Sequence, residues 1–220
     1  MSEPALPAAS AAWIVGAEAT ADVSVWGLSP TRRLRRALDA AGCKDVRVLG
    51  TTELVPLAAS QAVVILRADW IYDDRLIAAL LCAEGDLVLV ADDNTPVATR
   101  CSPEVFATSF AALQSGSAPV GLPARRAAEL APAYSARLRK HDPPFLLPAR
   151  GDSIPAIEAR TFSAAYKGAT DLVTKWAWPI PARWVTRQLA QTHTHPNTVT
   201  LVSWVLAIAA FWAFAEGAYA

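Results

Sequence analysis

The sequence has few cysteines and no excess of either charge. Its 220 residues include three cysteines, 20 basic side chains and 20 acidic side chains. Cys43, Cys82 and Cys101 are far apart and form no C-x-x-C pair, so we expect neither a disulfide framework nor a zinc site. We predict instead that the thiols are reduced and lie in a core. The net charge of zero gives no indication of a nucleic-acid partner.

The amino terminus has none of the features of a secretory leader. The stretch "MSEPALPAASAAWIVG" contains no basic segment and no long apolar segment, so we predict no signal peptide and a cytoplasmic amino terminus. Residues 1–10, with two prolines among small residues, are predicted to be a flexible tail. The chain is long enough for one sizeable domain with an appendage.

Short apolar runs alternate with amphipathic stretches between residues 11 and 116. Runs such as "QAVVILR" and "DLVLVADD" predict buried strands, and stretches such as "SPTRRLRRALDAAG" predict helices. Ser29 and Pro30 are a favourable helix start, and Gly42 is a favourable stop. This alternation predicts an α/β fold with a mostly parallel, Rossmann-like sheet, which we assign to residues 11–150.

A proline-rich stretch with many charges follows residue 116. It predicts one further helix near residues 124–139 and then a linker. Residues 151–195 are predicted to contain the linker and amphipathic juxtamembrane helices, interrupted at Pro179 and Pro181. Tryptophans alternate there with basic residues, which is typical of a helix at a membrane interface: Trp176, Trp178, Trp184, Lys167, Lys175, Arg183 and Arg187. The alternative is an ordinary amphipathic helix packed on the α/β domain.

Residues 196–215 form an apolar run without a formal charge. Twenty residues of helix are about 30 Å long, which matches the hydrocarbon core of a bilayer. The run is apolar on all faces, so we predict a transmembrane helix, and a buried core helix is the alternative. The basic residues lie before the run, which predicts that its amino-terminal end faces the cytoplasm.

Two histidines precede this run. In a helix His193 and His195 would point about 200° apart, so they would share a metal ion only in extended backbone, and we do not expect a metal site. Pro196 suits the first helical position, and Thr194 or Asn197 is expected to satisfy free N–H groups there. Polar groups at such a helix start are well placed to meet a phosphate.

Two segments together resemble the CDP-alcohol phosphotransferase family. "LAQTHTHPNTVTLVSW" is similar to the entrance to the first membrane helix of these enzymes, and "IEARTFSAAYKGATDLVTKW" is similar to the juxtamembrane segment of fused members. In those members a nucleotidyltransferase-like domain precedes the membrane part. The positions that match are Glu158, Lys167, Thr170, Asp171, Pro196, Asn197 and Thr200.

The resemblance implies a role in phospholipid biosynthesis at the cytoplasmic membrane. The complete enzyme would transfer a phosphoalcohol or phosphatidyl group from a CDP-activated donor to a hydroxyl acceptor, releasing CMP, with Mg²⁺ or Mn²⁺ as cofactor. Asn197 and Thr200 would lie near the nucleotide. The side chains of Lys167, Arg183 and Arg187 would bind acceptor phosphate or lipid headgroups. Membrane members of the family often pair, which makes a homodimer an expectation here.

The sequence also departs from the family pattern. It lacks the motif D-x2-D-G-x2-A-R-x8-G-x3-D-x3-D, whose aspartates bind the metal ions, so we assign no catalytic residue and expect the 220 residues alone to be inactive. Active nucleotidyltransferases have a glycine-rich phosphate loop after the first strand, and only Gly16 stands there. Asp69 falls on the metal position as a vestigial ligand. We therefore expect a degenerate nucleotidyltransferase-like domain kept for structure, binding or docking.

Two cationic and two acidic positions in this domain allow further interpretations. Arg32 and Arg33 either bind phosphate or form the solvated face of a helix. Asp73 and Asp74 are expected to be a helix start.

Three functions remain open. The first is the amino-terminal part of a CDP-alcohol phosphotransferase. The second is a non-catalytic, membrane-anchored protein that binds a nucleotide or a partner. The third is a cytidylyltransferase that makes the CDP-alcohol.

Overall fold

A computed structural model describes residues 11–20, 22–49, 61–135, 138–165, 177–192 and 194–217 of the chain. The chain divides into two compact units, residues 1–168 and residues 169–220.

The first unit contains the strands. In chain order they are β1 Ala11–Val15, β2 Asp45–Leu49, β3 Val63–Arg67, β4 Trp70–Tyr72, β5 Leu87–Val90, β6 Pro96–Cys101, β7 Ala124–Arg126, β8 Tyr134–Ser135, β9 Lys140–His141 and β10 Leu146–Pro148.

Six of these strands form one sheet in the order β2-β1-β3-β6-β5-β7. The pairs β1–β2, β1–β3 and β5–β7 are parallel, whereas β6 is antiparallel to both of its neighbours. Strand β6 is reversed because a tight turn joins it directly to β5, with Asn94 at a φ of 63°. The predicted α/β fold with a mostly parallel sheet is therefore confirmed, since five of the six strands run in one direction.

Five helices accompany the strands in the described part of this unit. They are α1 Pro30–Ala40, α2 Asp74–Cys82, α3 Phe106–Ser115, α4 Ala127–Leu130 and α5 Ile154–Ala165. The hydroxyl of Ser29 accepts a hydrogen bond from the Arg32 amide and caps α1, as predicted. The chain turns away after Ala41 at Gly42, whose φ of 86° favours glycine.

Apolar side chains cover both faces of the sheet. On one face Leu34 and Leu38 of α1 and Leu76 of α2 pack in a cluster with Val64 and Leu66 of β3. On the other face the aromatic residues of α3 pack against β1, where Trp13 and Phe106 make an edge-to-face contact with ring centroids 4.6 Å apart. Helices on both faces explain why β1, β3 and β5 are apolar runs rather than alternating sequences.

The cysteine prediction is right for two of the three thiols. Cys43 and Cys101 are buried in the two clusters. Cys82 is exposed, because it is the last residue of α2 and lies beyond the buried positions of that helix.

The predicted helix near 124–139 is wrong. Residues Ala124–Arg126 form β7 and pair with β5 at the edge of the sheet. The following helix, α4, has only four residues. Pro132 follows it closely and has no N–H with which to continue a helix. The pairing of β8 with β9 then takes up the next part of the segment.

Helix α5 belongs to the first unit, so this unit extends past residue 150. Ile157 is buried with Val25 and Ile71. The amide of Trp26 donates to a carboxylate oxygen of Glu158 over 3.2 Å, and the indole Nε1 donates to the Thr161 hydroxyl over 2.8 Å. These contacts fix α5 against the loop that precedes α1.

The second unit contains α6 Pro179–Gln191 and α7 Pro196–Ala215. The expected interruption at Pro179 and Pro181 is the start of α6, since both prolines lie in its first turn, where a missing N–H costs little. In α7 the residues Asn197–Ala215 are long and apolar enough to span a membrane, and none of that window is buried. Its aromatic side chains are exposed on different faces, since Trp212, at 62%, and Phe214, at 70%, lie about 200° apart around the helix.

Candidate functional site

Asp69 lies at the carboxyl-terminal edge of the sheet. It follows β3 by two residues, and the amide of Ala68 donates to the carbonyl of Val15 at the end of β1 over 2.8 Å. The chain leaves β1 towards β2 on one side and returns to β3 on the other. Open α/β sheets bind their ligands at this kind of switch point, outside the carboxyl ends of the strands. The first place to look for a ligand site is therefore the crevice after β1 and β3.

The carboxylate of Asp69 is already paired with a guanidinium. Arg67 Nε is 3.0 Å from Oδ1 and Arg67 Nη2 is 2.6 Å from Oδ2, which is a two-pronged ion pair. This hydrogen bond raises the pKa of Arg67. The guanidinium places a positive charge on both carboxylate oxygens, and a divalent cation would have to displace it. A metal ion at Asp69, as the vestigial role predicts, would therefore have to compete with Arg67 for the carboxylate.

The loop after β1 lacks the glycine-rich sequence of a phosphate-binding loop. Gly16 has a φ of 72°, and the chain then enters a 3₁₀ turn over Ala17–Thr20 that directs the Thr20 hydroxyl back to the carbonyl of Ala17 over 3.2 Å. Glu18 is exposed on this turn. A phosphate-binding loop needs several free N–H groups pointing at the ligand. Here one glycine and a nearby carboxylate replace that arrangement.

The turn after β5 adds acidic and basic groups to the same edge of the sheet. Asp93 accepts a hydrogen bond from the Thr95 amide over 2.9 Å, and this bond lowers the pKa of Asp93. Arg126, at the end of β7, donates to the side-chain oxygen of Asn94 over 3.2 Å. Sequence analysis assigned no role to these residues, although an Asp-Asp-Asn turn directly after a buried strand was a usable signal.

An ionic cluster links β4 to the segment before α5. Asp73 caps α2, as expected, and binds Arg75 through both carboxylate oxygens at 2.9 and 2.7 Å. Arg75 also donates to the carbonyl of Asp142 over 2.8 Å, and the Asp142 carboxylate pairs with Arg160 of α5 at 2.9 Å. A cavity of about 630 Å³ lies beside this cluster. The charges pair with one another, so the cluster joins elements and offers few free groups to a ligand.

Tyr72 is the buried titratable group beside this edge. Its hydroxyl lies 2.7 Å from the carbonyl oxygen of Val97 and 3.1 Å from that of Arg67. Burial, followed by the charge of Asp69, raises the pKa of Tyr72 well above its usual range. The phenol is therefore a structural tie between β3 and β6. It is poorly suited to proton transfer at neutral pH.

No group of three or more His, Cys, Asp or Glu side chains that would suit a metal ion occurs in the described part of the chain. The family motif that binds metal is also absent from the sequence.

At the start of α7, Pro196 occupies the first helical position, as predicted. The cap is His195, whose Nδ1 accepts from the Asn197 amide over 3.4 Å, and not Thr194 or Asn197. The hydroxyl of Thr194 instead lies 2.6 Å from that of Thr192. Asn197 and Thr200 are exposed in the first turns of the helix. This hydrogen bond occupies the Asn197 N–H, one of the donors that a phosphate at the helix start would use.

Arg183 and Arg187 stand one helical turn apart on α6 and are exposed. Ile180 and Trp184 each lie three residues before one of these arginines, and their side chains are 71% and 65% exposed. Cationic and apolar side chains thus lie on one surface of the helix. This differs from a fully segregated interfacial helix, whose cations and apolar residues occupy opposite faces, although tryptophan and arginine are both residue types found near a membrane interface. Lys167, Thr170, Asp171 and His193, named in the sequence analysis, lie outside the described residues.

No protein-family model matches the sequence, and no curated protein matches it.

Proposed function

We propose that this chain is the membrane-anchored amino-terminal part of a CDP-alcohol phosphotransferase, with α7 as the first membrane helix. In this proposal the nucleotidyltransferase-like α/β domain does not catalyse a reaction. The observation that supports membrane anchoring best is the exposure of α7 on all faces.

The magnitude of that exposure favours a bilayer. Ten large apolar side chains of α7 are 41 to 72% exposed, namely Val199, Leu201, Val202, Trp204, Val205, Leu206, Ile208, Phe211, Trp212 and Phe214. Leaving these partly exposed side chains in water costs about 1 kcal/mol or more each, or roughly 10 kcal/mol together, which is comparable to the entire stability of an ordinary domain. A single packing partner would cover one face of the helix, whereas hydrocarbon covers every face.

The ends of α7 and α6 fit the headgroup region. Exposed Trp178 and Trp184 with Arg183 and Arg187 are the residue types that lie at a membrane interface. In the complete enzyme Asn197 and Thr200 would lie near the CDP-linked donor, and Mg²⁺ or Mn²⁺ would be bound by aspartates outside these 220 residues. Lys167, Arg183 and Arg187 would bind acceptor phosphate or lipid headgroups.

A first experiment tests the anchor. Membranes from cells expressing the chain are washed with alkaline carbonate, and we expect the chain to stay in the pellet. Arginines at Leu206 and Ile208 should release it, since each costs about 2.5–3.5 kcal/mol at the centre of a membrane helix. Lysines at the already exposed Ser24 and Gln114 add the same charge elsewhere and should not. Release of the wild-type chain by carbonate would refute the membrane anchor.

A second experiment tests the family. The coding sequence downstream of Ala220 is read for the D-G-x2-A-R motif, and membranes containing the complete product are assayed for CMP release from CDP-activated alcohols. Absence of the motif together with no CMP release would refute the transferase assignment and leave the anchor intact.

A second candidate is a non-catalytic anchored protein that binds a nucleotide or a partner, which the Arg67–Asp69 ion pair favours over a cytidylyltransferase because it occupies the candidate metal ligand. Calorimetric titration with CTP and CDP would support it if binding occurred without turnover. The cytidylyltransferase alternative predicts CTP-dependent pyrophosphate release, and background release would exclude it.

A further inference from the structure

Helix α1 displays an arginine face whose charges have no partner in the described structure. Arg32, Arg35 and Arg36 are exposed and stand three and four residues apart on the surface opposite the buried Leu34 and Leu38. None of the three makes an ion pair or a side-chain hydrogen bond with the described residues. Asp39, the acidic residue of this helix, is also exposed and forms no ion pair there. The arginine face therefore keeps a net positive charge.

These arginines are unfavourable for the helix itself. Arg32 lies in the first turn, which contains no acidic residue, and cations at a helix amino terminus oppose the macrodipole. Arg32 and Arg36 also form a like-charge pair at i, i+4, a destabilising spacing. Stability of helix α1 thus does not account for the arginine face, which would be stabilised by an anionic ligand.

A small cavity next to the arginine face indicates that the ligand has an apolar part as well as a negative charge. Its volume is about 240 Å³, and its lining combines the apolar residues Leu34, Ala37, Ile71 and Ile77 with the charged residues Arg33, Arg36 and Asp74. Burial lowers the pKa of the Arg33 guanidinium, and Asp74 offsets part of that effect. A bound phosphate would offset it further. A cavity lined by both apolar side chains and guanidinium groups suits the phosphate and glycerol-ester region of a phospholipid better than a free inorganic ion.

We propose that the arginine face of α1 is a docking surface for anionic phospholipid headgroups and holds the α/β domain against the membrane. The proposal rests on the proposed membrane anchor, because connection to a bilayer helix raises the effective concentration of lipid around the domain. Each arginine near an anionic surface raises the ratio of docked to undocked domain about fivefold. Two arginines then change this ratio by about 25-fold.

The full chain in lipid nanodiscs provides the test. A donor dye is placed on Cys82, the exposed thiol on α2 beside α1, and an acceptor dye is placed on a small fraction of lipid headgroups. Discs contain phosphatidylcholine alone or with 30% phosphatidylglycerol. Co-elution of the chain with the disc tests the anchor separately, and energy transfer tests docking.

We expect higher energy transfer in the phosphatidylglycerol discs at 50 mM salt and loss of the difference at 0.5 M salt, where charges are screened. Arg32→Gln/Arg36→Gln should lower the docked-to-undocked ratio about 25-fold, and Arg32→Lys/Arg36→Lys should retain docking. Arg125→Gln/Arg139→Gln removes two other exposed arginines and should also retain it. Equal transfer in both kinds of disc, or unchanged transfer after Arg32→Gln/Arg36→Gln, would overturn the proposal while leaving the anchor supported by co-elution. Glutamine matches arginine in helix propensity, and circular dichroism confirms that each variant is folded.

Discussion

Ile157 provides a quantitative test of how α5 is attached to the α/β domain. Its side chain is 1% exposed and packs in a cluster with Val25, Ile71 and Ala149. Replacing a buried isoleucine with alanine removes apolar contacts and leaves a cavity, at a cost of about 2–5 kcal/mol. We expect the lower half of that range, since this cluster is small and borders the surface, so Ile157→Ala should lower the free energy of unfolding by about 2–3 kcal/mol.

The assay is urea unfolding of the full chain in detergent, followed by hydrogen exchange. Ala156→Gly is the matched control, because residue 156 is exposed on the same turn of α5. This variant should lose only the difference in helix propensity between alanine and glycine, about 1 kcal/mol in the free energy of unfolding. Ile157→Ala should also speed exchange of the α5 amides more than exchange in β1 or β3. A loss below about 1 kcal/mol for Ile157→Ala, or faster exchange spread evenly over the domain, would show that α5 is not held by this cluster.

Three further predictions concern single side chains. Asp73→Ala should lower the free energy of unfolding by about 2–4 kcal/mol in the same urea assay, because it removes a helix cap and the carboxylate that binds Arg75, whereas Asp39→Ala, at an exposed position without an ion pair among the described residues, should change it little. At pH 7.5 a maleimide should modify Cys82 alone in the native chain and all three thiols in denaturant, as measured by mass spectrometry. Burial raises the pKa of Cys43, and it raises the pKa of Cys101 to about 12. Labelling of a second thiol in the native chain would contradict the assignment of Cys43 and Cys101 to the core. The lowered pKa of Asp93 means that its carboxylate stabilises the turn after β5 at every pH above its ordinary pKa near 3.8, and that this stabilisation is lost as the pH falls through the lowered pKa of the folded protein. The Thr95 amide should therefore exchange faster at that low pH, and also at neutral pH in Asp93→Ala. Equal exchange rates in the variant and the wild-type chain would refute the role of this hydrogen bond.

The sequence predicted the elements whose own pattern is strong. The strands β1, β3 and β5 are apolar runs, and α1 has a cap, an apolar stripe and a terminal glycine, so local chemistry and burial agree. Strand β7 could not be predicted in the same way. Ala124–Arg126 is exposed and polar, and its strand conformation depends on pairing with β5, a partner more than thirty residues away.

The candidate site was predictable in part. Arg67 is the last residue of β3 and Asp69 follows it by two residues in a turn, so the two opposite charges are close in the sequence and their pairing was a reasonable expectation. The link from Arg75 through Asp142 to Arg160 was not, because it joins three segments that only the folded chain brings together. The cap by His195 was missed because histidine is an uncommon residue for that role.

Strand β7 also affects how this protein would self-associate. It lies at the end of the described sheet, is only three residues long, and exposes both Arg125 and Arg126. Short edge strands with charged side chains discourage the addition of a further strand from another molecule. The β7 edge is therefore protected against intermolecular sheet extension, and a pairing of two chains would have to use a surface other than this edge.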